Sequence, residues 1–104
     1  MTYILVDILP IKNGKTIEDA LTYFDKVRPA MERHGLKRVD QPLEAHKVLR
    51  GNQAADLVNL FETSDPEASV KGMGSDPEYQ ANIALRDTIF DLENASIVLT
   101  TRYQ

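Results

Sequence analysis

The chain has 104 residues, 42% of them hydrophobic and 27% charged, a composition that suits one globular domain over residues 1–104. Its formal net charge of −4 and its lack of a lysine or arginine cluster exclude a conventional nucleic-acid surface. Because it has no cysteine, no secretory signal pattern and no apolar run of membrane-spanning length, we expect a cytoplasmic protein without membrane contact.

The N-terminal part of the chain predicts a strand followed by a long helix. Residues 3–9 read YILVDIL, and this apolar, β-branched run predicts a buried strand. Thr16 is a suitable N-cap, and Asp19 three residues later completes a weak capping box. Apolar residues then recur at helical spacing as far as Met31, and Gly35 is a suitable C-cap. The helix is therefore expected to begin after Thr16 and to end before Gly35.

The rest of the chain predicts three strands and an interrupted helix. An aspartate followed by a proline is typical of a helix start, and both Asp65 and Asp76 precede a proline. Gly72 and Gly74 are expected to break the first of these two helices. In chain order, the predicted elements are a strand within residues 41–50, a strand at 56–62, a helix after Asp65, a helix from Asp76 to about Leu92, and a strand at 94–103.

The element order β-α-β-β-α-β is that of the split βαβ, or ferredoxin-like, architecture. This α+β fold has one antiparallel sheet with both helices packed on one of its faces. The other face of the sheet is open in a chain of this length. If that face is apolar, it needs a cover, because large exposed apolar faces are uncommon on monomers.

The alternation of side chains along the first strand suggests which face the helices cover. Ile4, Val6 and Ile8 form a purely aliphatic side, which we assign to the helices. The opposite side then carries Asp7 and, from another strand, Asn59. A second copy of the chain, packed face to face, would cover this side and enclose a pocket between two sheets. The alternative is that Asp7 and Asn59 lie near strand ends and contact solvent.

An arginine lies on the apolar side of the last predicted helix. At about 100° per residue, one narrow stripe of this helix comprises Tyr79, Ile83, Arg86 and Phe90. Because a guanidinium stays charged at physiological pH, a half-buried arginine needs a partner. One interpretation is a structural ion pair with a carboxylate such as Asp7 or Glu62. The other is a binding role, in which Arg86 holds the carboxylate of a small acid by a bidentate contact.

The two histidines and Tyr79 receive separate interpretations. His34 lies at the C-terminal end of the first helix and is interpreted as a capping or packing residue. His46 shares its strand parity with Val48, so it could join Asp7 as an acid–base pair if that side faces a pocket. Tyr79 is expected to pack in the core with its hydroxyl on a polar partner. Two isolated histidines without matching carboxylates predict no metal site.

Three short stretches resemble the sequence signatures of a known family. They are YFDKVRPAMERHG at residues 23–35, VLRG at 48–51, and SDPEYQ at 75–80 followed by Arg86. With these features the chain resembles the dimeric α/β-barrel superfamily, and within it the small uncharacterised DUF1330-type proteins. The resemblance implies a homodimer of ferredoxin-like chains with a small-molecule pocket. Arg50 stands where that family usually has a glutamate, so the roles of the family's carboxylates are not transferred.

Two functions are consistent with these residues. The first is binding of a small molecule by a homodimer without a cofactor, with Arg86, Asn59, Asp7 and Tyr79 as the ligand-binding residues. The alternative is a cofactor-free enzyme, similar to the monooxygenases and isomerases with such barrels, acting on a small anionic or aromatic substrate. Asp7 or His46 would then remove a proton, and Arg86 or Asn59 would hold the developing oxyanion. Replacement of Asp7 by asparagine separates the two, since it abolishes turnover only in the enzyme.

Overall fold

Five strands form one antiparallel sheet, and the helices pack on one of its sides. A computed structural model describes residues 1–104. Its elements are β1 (Tyr3–Leu9), α1 (Ile17–Arg33), β2 (Lys37–Arg38), β3 (Leu43–Glu44), β4 (Leu57–Thr63), α2 (Pro66–Ser75), α3 (Pro77–Ala81), α4 (Ile83–Ile89), a 3₁₀ turn (Leu92–Asn94) and β5 (Ser96–Thr101). The strand order is β2-β4-β1-β5, and β3 also pairs with β4. This is the predicted ferredoxin-like α+β fold. None of its helices has both the length and the apolar character that crossing a membrane requires.

Helix α1 begins and ends where its sequence predicts. The Asp19 amide donates to the Thr16 hydroxyl at 3.1 Å, and the Thr16 amide donates to the Asp19 carboxylate at 2.9 Å. This reciprocal pair is the capping box. His34 is the C-cap, and Gly35 follows with a φ of +79°, a conformation that a residue without a Cβ adopts readily.

The strand predicted within residues 41–50 is only partly present. β3 occupies two residues of that range, β2 lies before it, and residues 45–56 contain no strand. The reason is tertiary pairing: β2 pairs with the part of β4 that contains Glu62, and β3 pairs with the part that contains Val58. The register along β4 therefore decides which residues are extended, and local sequence does not reveal it.

The second helical segment is divided at a different place from the predicted one. α2 runs through both Gly72 and Gly74, so the break predicted at these glycines is wrong. Asp76 instead separates α2 from α3, because its extended backbone precedes Pro77 and its side chain caps the new helix. The single long helix predicted after it consists of α3 and α4, with Asn82 between them. Glycine weakens a helix but is compatible with one. The residue before a proline, in contrast, is sterically disfavoured in the helical conformation, so a helix usually ends there.

The two faces of the sheet are the reverse of our assignment. The side under the helices carries, from β1 and β4, Leu5, Asp7, Leu9, Leu57, Asn59 and Phe61. The opposite side, called the open face below, carries Ile4, Val6, Ile8, Val58, Leu60, Glu62 and Val98. The leucine and phenylalanine side chains of the covered side belong to the core that contains the aromatic residues of α1, whereas β-branched side chains predominate on the open face. The polar pair does not mark an exposed face, because its two members hydrogen-bond to each other.

Candidate functional site

A cavity of about 520 Å³ lies between the sheet and the helices. Most of its wall is apolar. The four lining side chains with polar groups come from four different elements: Asp7 of β1, Tyr23 of α1, Tyr79 of α3 and Arg86 of α4. Its rim includes the exposed apolar side chains of Val70, Leu92 and Ile97. A cavity of this size and lining suits a small organic molecule with few polar groups.

The position of this cavity corrects the predicted pocket between two sheets. Asp7 and Asn59 face the helices of their own chain, so a second sheet packed on the open face cannot enclose them. The alternative, that both residues contact solvent near strand ends, is also wrong, since both are buried.

Arg86 and Tyr79 form a hydrogen-bonded pair on the cavity wall. Arg86 Nη1 donates to Tyr79 Oη at 2.8 Å, and its Nε donates to Asp87 Oδ1 at 3.0 Å. The guanidinium also lies 5.9 Å from the centroid of the Tyr79 ring. Burial lowers the pKa of Arg86, but Tyr79 and Asp87 outweigh burial, so the pKa is raised. Arg86 therefore forms the structural ion pair with a carboxylate that was one of its two interpretations, but the partner is Asp87 and not Asp7 or Glu62.

The hydroxyl of Tyr23 is buried and makes no hydrogen bond of good geometry, although the Tyr79 side chain lies close enough to influence it. Tyr23 is 2% exposed, and its ring packs edge-on against Phe24 and Phe90, with centroid separations of 5.3 and 5.5 Å. Burial raises the pKa of this phenol, neighbouring Tyr79 raises it further, and the charge of Arg86 opposes them. The hydroxyl therefore stays protonated and is able to donate a hydrogen bond to an acceptor in the cavity.

Asp7 is the ionisable group on the sheet side of the cavity. It is 8% exposed and accepts one hydrogen bond, from Asn59 Nδ2 at 3.3 Å. Burial raises the pKa of Asp7 from its ordinary value of 3.8 to about 6, although the Asn59 bond and the charge of Arg38 act in the opposite direction. A carboxyl group with this pKa changes protonation near neutral pH, so it is able to accept a proton from a ligand.

Asn59 and Arg38 stand behind Asp7 and do not line the cavity. Asn59 is 0% exposed, and its Oδ1 accepts a hydrogen bond from Arg38 Nη2 at 2.8 Å. The Arg38 guanidinium lies 5.6 Å from the ring centroids of both Phe24 and Phe61. Its Nε is buried without a partner, and burial lowers the pKa of Arg38. Asn59, predicted as a ligand-binding residue, contacts Asp7 and not the cavity.

The two histidines lie away from the cavity. His46 is exposed and follows β3 instead of lying in a strand, so the strand parity that pairs it with Asp7 does not exist. The predicted acid–base pair is therefore wrong. His34 is the C-cap of α1, as one of its two predicted roles has it, and its Nε2 donates a hydrogen bond to Asp76 Oδ2 at 2.8 Å. No group of three or more histidine, aspartate or glutamate side chains is placed to hold a metal ion.

Sequence reasoning identifies three of the four polar groups of the cavity. Asp7, Tyr79 and Arg86 come together there, although on the other side of the sheet from the predicted pocket. It misses Tyr23, because a tyrosine at helical spacing in an apolar arc is typical of an ordinary core residue. It also misses Arg38, because a two-residue strand gives no periodic signal. The feature that could have identified Tyr23 is its hydroxyl, because it is a polar group on the apolar side of α1.

Comparison with known proteins identifies the fold and no family. No protein-family model matches the chain, and no curated protein sequence matches it. RPA0582, a protein of unknown function from Rhodopseudomonas palustris, is similar in structure with a TM-score of 0.73 at 20% identity, over 99% of this chain and 83% of that one.

Two further solved structures are informative. SnoaB, a cofactor-independent oxygenase from Streptomyces nogalater, has a TM-score of 0.66 at 12% identity, over 99% of this chain and 94% of that one. A dimeric protein of unknown function with a ferredoxin-like fold, from Bacteroides fragilis, has a TM-score of 0.57 at 10% identity, over 97% and 96%. Similarity at such low identity establishes the fold alone.

Proposed function

We propose that this protein binds a small molecule that has an apolar body and an oxygen acceptor at one end. The observation that carries the proposal is the buried Tyr23 hydroxyl without a partner. A buried donor left unpaired costs about 1–3 kcal/mol of stability, and a ligand acceptor would remove that cost. Because Tyr23 lines the cavity, a molecule bound there is able to supply the acceptor.

Arg86 also favours a ligand with an oxygen acceptor at one end. A guanidinium only donates hydrogen bonds, and Arg86 uses Nη1 for Tyr79 and Nε for Asp87. Its Nη2 has no protein partner. A carbonyl, phenolate or carboxylate oxygen near Tyr23 would therefore meet two donors, while the apolar wall would contact an aromatic or aliphatic body.

A matched pair of probes tests the acceptor requirement. 2-Acetylnaphthalene and 2-isopropenylnaphthalene have nearly the same shape, but only the ketone has an acceptor oxygen. We expect the ketone to bind roughly fivefold more tightly, because one net hydrogen bond contributes about 1 kcal/mol. Tyr23→Phe should abolish this preference, and Tyr103→Phe, at an exposed tyrosine, should preserve it. NMR titrations give both affinities.

Two results would contradict the proposal. One is equal binding of the two probes by the wild-type protein. The other is a preference for the ketone that persists in Tyr23→Phe. Arg86→Met should also weaken the ketone selectively, and Arg102→Met, at an exposed arginine, is its control.

We also propose that two chains associate through the open face. Its aliphatic side chains come from three adjacent strands, and Val98 at its edge is half-exposed. A monomer rarely exposes an apolar surface of this kind, and sheets commonly pack face to face. The Bacteroides fragilis protein of the same fold is dimeric, which supports association of two chains.

Oligomeric state tests the dimer separately from the cavity. Native mass spectrometry should detect a dimer of the wild-type chain, and Leu60→Asp, on the open face, should convert it to a monomer. Leu49→Asp, in an exposed loop, is the matched control and should stay dimeric. A monomeric wild-type protein would refute the dimer. It would leave the ligand proposal intact, because the cavity lies within one chain.

The second candidate function is that of a cofactor-free enzyme. Asp7 favours it, because a carboxylate with a pKa of about 6 lines the cavity opposite two hydrogen-bond donors. Asp7 would remove a proton from the ligand, and Tyr23 and Arg86 would hold the resulting oxyanion. Return of that proton to another carbon is an isomerisation. In an oxygenation, the carbanion would react with dioxygen by electron transfer and radical recombination, which forms a C–O bond and a peroxide anion, and that anion would take the proton back from Asp7 to give a hydroperoxide. The similarity in fold to the oxygenase SnoaB supports this candidate at the level of the fold.

Proton abstraction is measurable without knowing the natural substrate. In D₂O, the protein should accelerate exchange of the α-protons of 2-tetralone. The rate should rise with pH to a plateau with a midpoint near 6, because only ionised Asp7 is a base. Asp7→Asn should remove the acceleration. Two outcomes would favour a binding protein. One is that the wild type does not accelerate exchange. The other is that Tyr23→Phe no longer binds the ketone but still accelerates exchange, because the exchange then takes place outside the cavity.

Two finer points belong to the same proposal. Membership among DUF1330-type proteins is supported by the SDPEYQ stretch with its following Arg86. A cytoplasmic location is supported by the lack of cysteine. Both are predictions.

A further inference from the structure

We infer that Arg38 is a positioning residue that fixes the orientation of the Asn59 amide and, through it, the protonation of Asp7. The three side chains form a continuous line from β2 across β4 to β1. Arg38 Nη2 donates to Asn59 Oδ1 at 2.8 Å, and Asn59 Nδ2 donates to Asp7 Oδ2 at 3.3 Å. The inference deepens the proposed function, because Asp7 is the ionisable group of the proposed ligand site.

The chemistry of the three groups allows one orientation of the amide. A guanidinium has only donors, so Arg38 requires the carbonyl oxygen of Asn59. The amide nitrogen then points towards Asp7, and it is able to donate to a carboxylate oxygen. Because Asn59 is 0% exposed, no solvent competes for either end of its amide. Arg38 thereby selects the amide orientation that suits ionised Asp7.

Loss of Arg38 would remove this selection. The Asn59 amide would be free to rotate by half a turn and to present its oxygen to Asp7. An oxygen acceptor favours the protonated carboxyl group, which has an O–H donor. The expected consequence is a weaker acid at Asp7, although Arg38 itself does not line the cavity.

Arg38 is held in place for this role. Its guanidinium lies 5.6 Å from the ring centroids of both Phe24 and Phe61, which are in contact with each other, and Asn59 is its hydrogen-bond partner. Its Nε has no partner that would draw it away from Asn59. Three charged groups act on Arg38, namely Arg28, Asp25 and Asp7 itself, and the first two pair with each other at 2.8 Å.

The other polar groups that face Asp7 come from the helices. Tyr23 of α1, Tyr79 of α3 and Arg86 of α4 line the same cavity. Arg86 bonds to Tyr79 and to Asp87, and β5 places apolar Ile97 opposite Asp7. The line through Asn59 is therefore the one hydrogen-bonded connection between Asp7 and a cation.

The test is an NMR titration of the ligand-free protein, which follows the Asp7 carboxyl carbon and the Asn59 side-chain amide against pH. In the wild type both signals should share one midpoint, near 6. Arg38→Met keeps an apolar stem over the two rings and should raise the Asp7 midpoint by about one pH unit, a tenfold increase in proton affinity. Arg28→Met removes an equivalent charge from the exposed neighbour and should leave the midpoint nearly unchanged.

A second background separates the amide from the simple loss of positive charge. In Asn59→Ala the line is broken, so Arg38→Met should then shift the Asp7 midpoint by less than a third of its original effect. An equal shift in both backgrounds would mean that Arg38 acts through space and would overturn the inference. If Asn59→Ala does not fold, Asn59→Thr, which is close in size and lacks the amide, takes its place. An Arg38→Met shift of the Asp7 midpoint that is as large in that background as in the wild type would refute the inference.

This outcome is independent of the ligand proposal. Failure of the naphthyl probes to bind would refute the proposed ligand and leave the Asp7 titration unaffected. An unchanged Asp7 midpoint in Arg38→Met would refute the positioning role even if the probes bind as expected.

Discussion

Two aspartates are buried beside the helices, and their pKa values move in opposite directions. Asp76 is 5% exposed and accepts five hydrogen bonds, from Arg33, His34 and two backbone amides of α3. Arg33 above all holds the pKa of Asp76 well below its ordinary range. Asp7 is 8% exposed and accepts one long hydrogen bond, and burial raises its pKa to about 6.

The difference teaches that partners, and not burial, decide what a buried carboxylate does here. The group around Asp76, comprising Arg33, His34 and the first turn of α3, joins the end of α1 to the start of α3 with its hydrogen bonds satisfied. Around the cavity, the Tyr23 hydroxyl lacks a partner. A saturated cluster stabilises the fold, whereas an unsaturated one is able to bind something else.

The largest loss of stability is expected from Asp76→Ala. It removes all five hydrogen bonds at once and leaves the His34 ring without its partner. Because the pKa of folded Asp76 lies below that of the unfolded chain, its stabilisation is present above about pH 4 and is lost as pH falls further. Urea unfolding across this range measures it. Glu78→Gln, at an exposed partner of Arg33, is the control, and an equal loss there would contradict the central role of Asp76.

Asp7→Asn is expected to increase the stability of the protein, whereas Asp76→Ala decreases it. The pKa of folded Asp7, about 6, lies above its unfolded value of 3.8, so ionised Asp7 destabilises the fold as pH rises through this interval. At about pH 8, Asp7→Asn should therefore stabilise the protein by up to about 3 kcal/mol, and at about pH 4 the gain should vanish. Urea unfolding at both pH values checks it. A destabilised variant at the higher pH would mean that Asp7 serves the fold as Asp76 does.

An effect of about 2 kcal/mol is expected from Gly72→Ala, because overpacking a closed site costs that much. A Cβ at Gly72 would meet the His34 ring, which Asp76 holds in place. Gly74 lies in the same helix, and a Cβ there meets nothing within 4 Å. Gly74→Ala should therefore be neutral or stabilising. Thermal unfolding of both variants tests this, and equal behaviour would contradict the fixed position of His34.

The smallest effects contrast a satisfied hydroxyl with an unsatisfied one. Ser69 Oγ donates to the His34 carbonyl at 2.6 Å and contacts Thr63 Oγ1 at 2.7 Å, so Ser69→Ala should destabilise by about 1–2 kcal/mol. Tyr23→Phe removes a buried hydroxyl without a partner and should stabilise the ligand-free protein by about 1 kcal/mol, because the cost of the unpaired donor is lost. Urea unfolding of the ligand-free variants compares them. A marked loss in Tyr23→Phe would indicate that its hydroxyl already has a structural partner.

The sequence by itself determined the coarse order of strands and helices and the helix starts after Thr16, Asp65 and Asp76. The capping box of Thr16 and Asp19, and the cap at Asp76, join residues at most three positions apart. Such contacts form wherever the local chain is helical, so pattern alone reveals them. The stripe that brings Tyr79 and Arg86 to one side has the same local origin, since the two lie about two helical turns apart.

Only the tertiary structure decided which face of the sheet the helices cover. Strand periodicity divides β1 into two sides but does not say which side meets α1, because that depends on residues far away in the chain. Asp7 is 52 positions from Asn59, and Asn59 is 21 from Arg38, so neither contact leaves a local trace. Polar residues in a strand pattern suggest exposure, yet these are buried because distant partners satisfy them. The sequence pattern therefore predicted three of the four polar residues of the site, but it did not predict where in the fold the site lies.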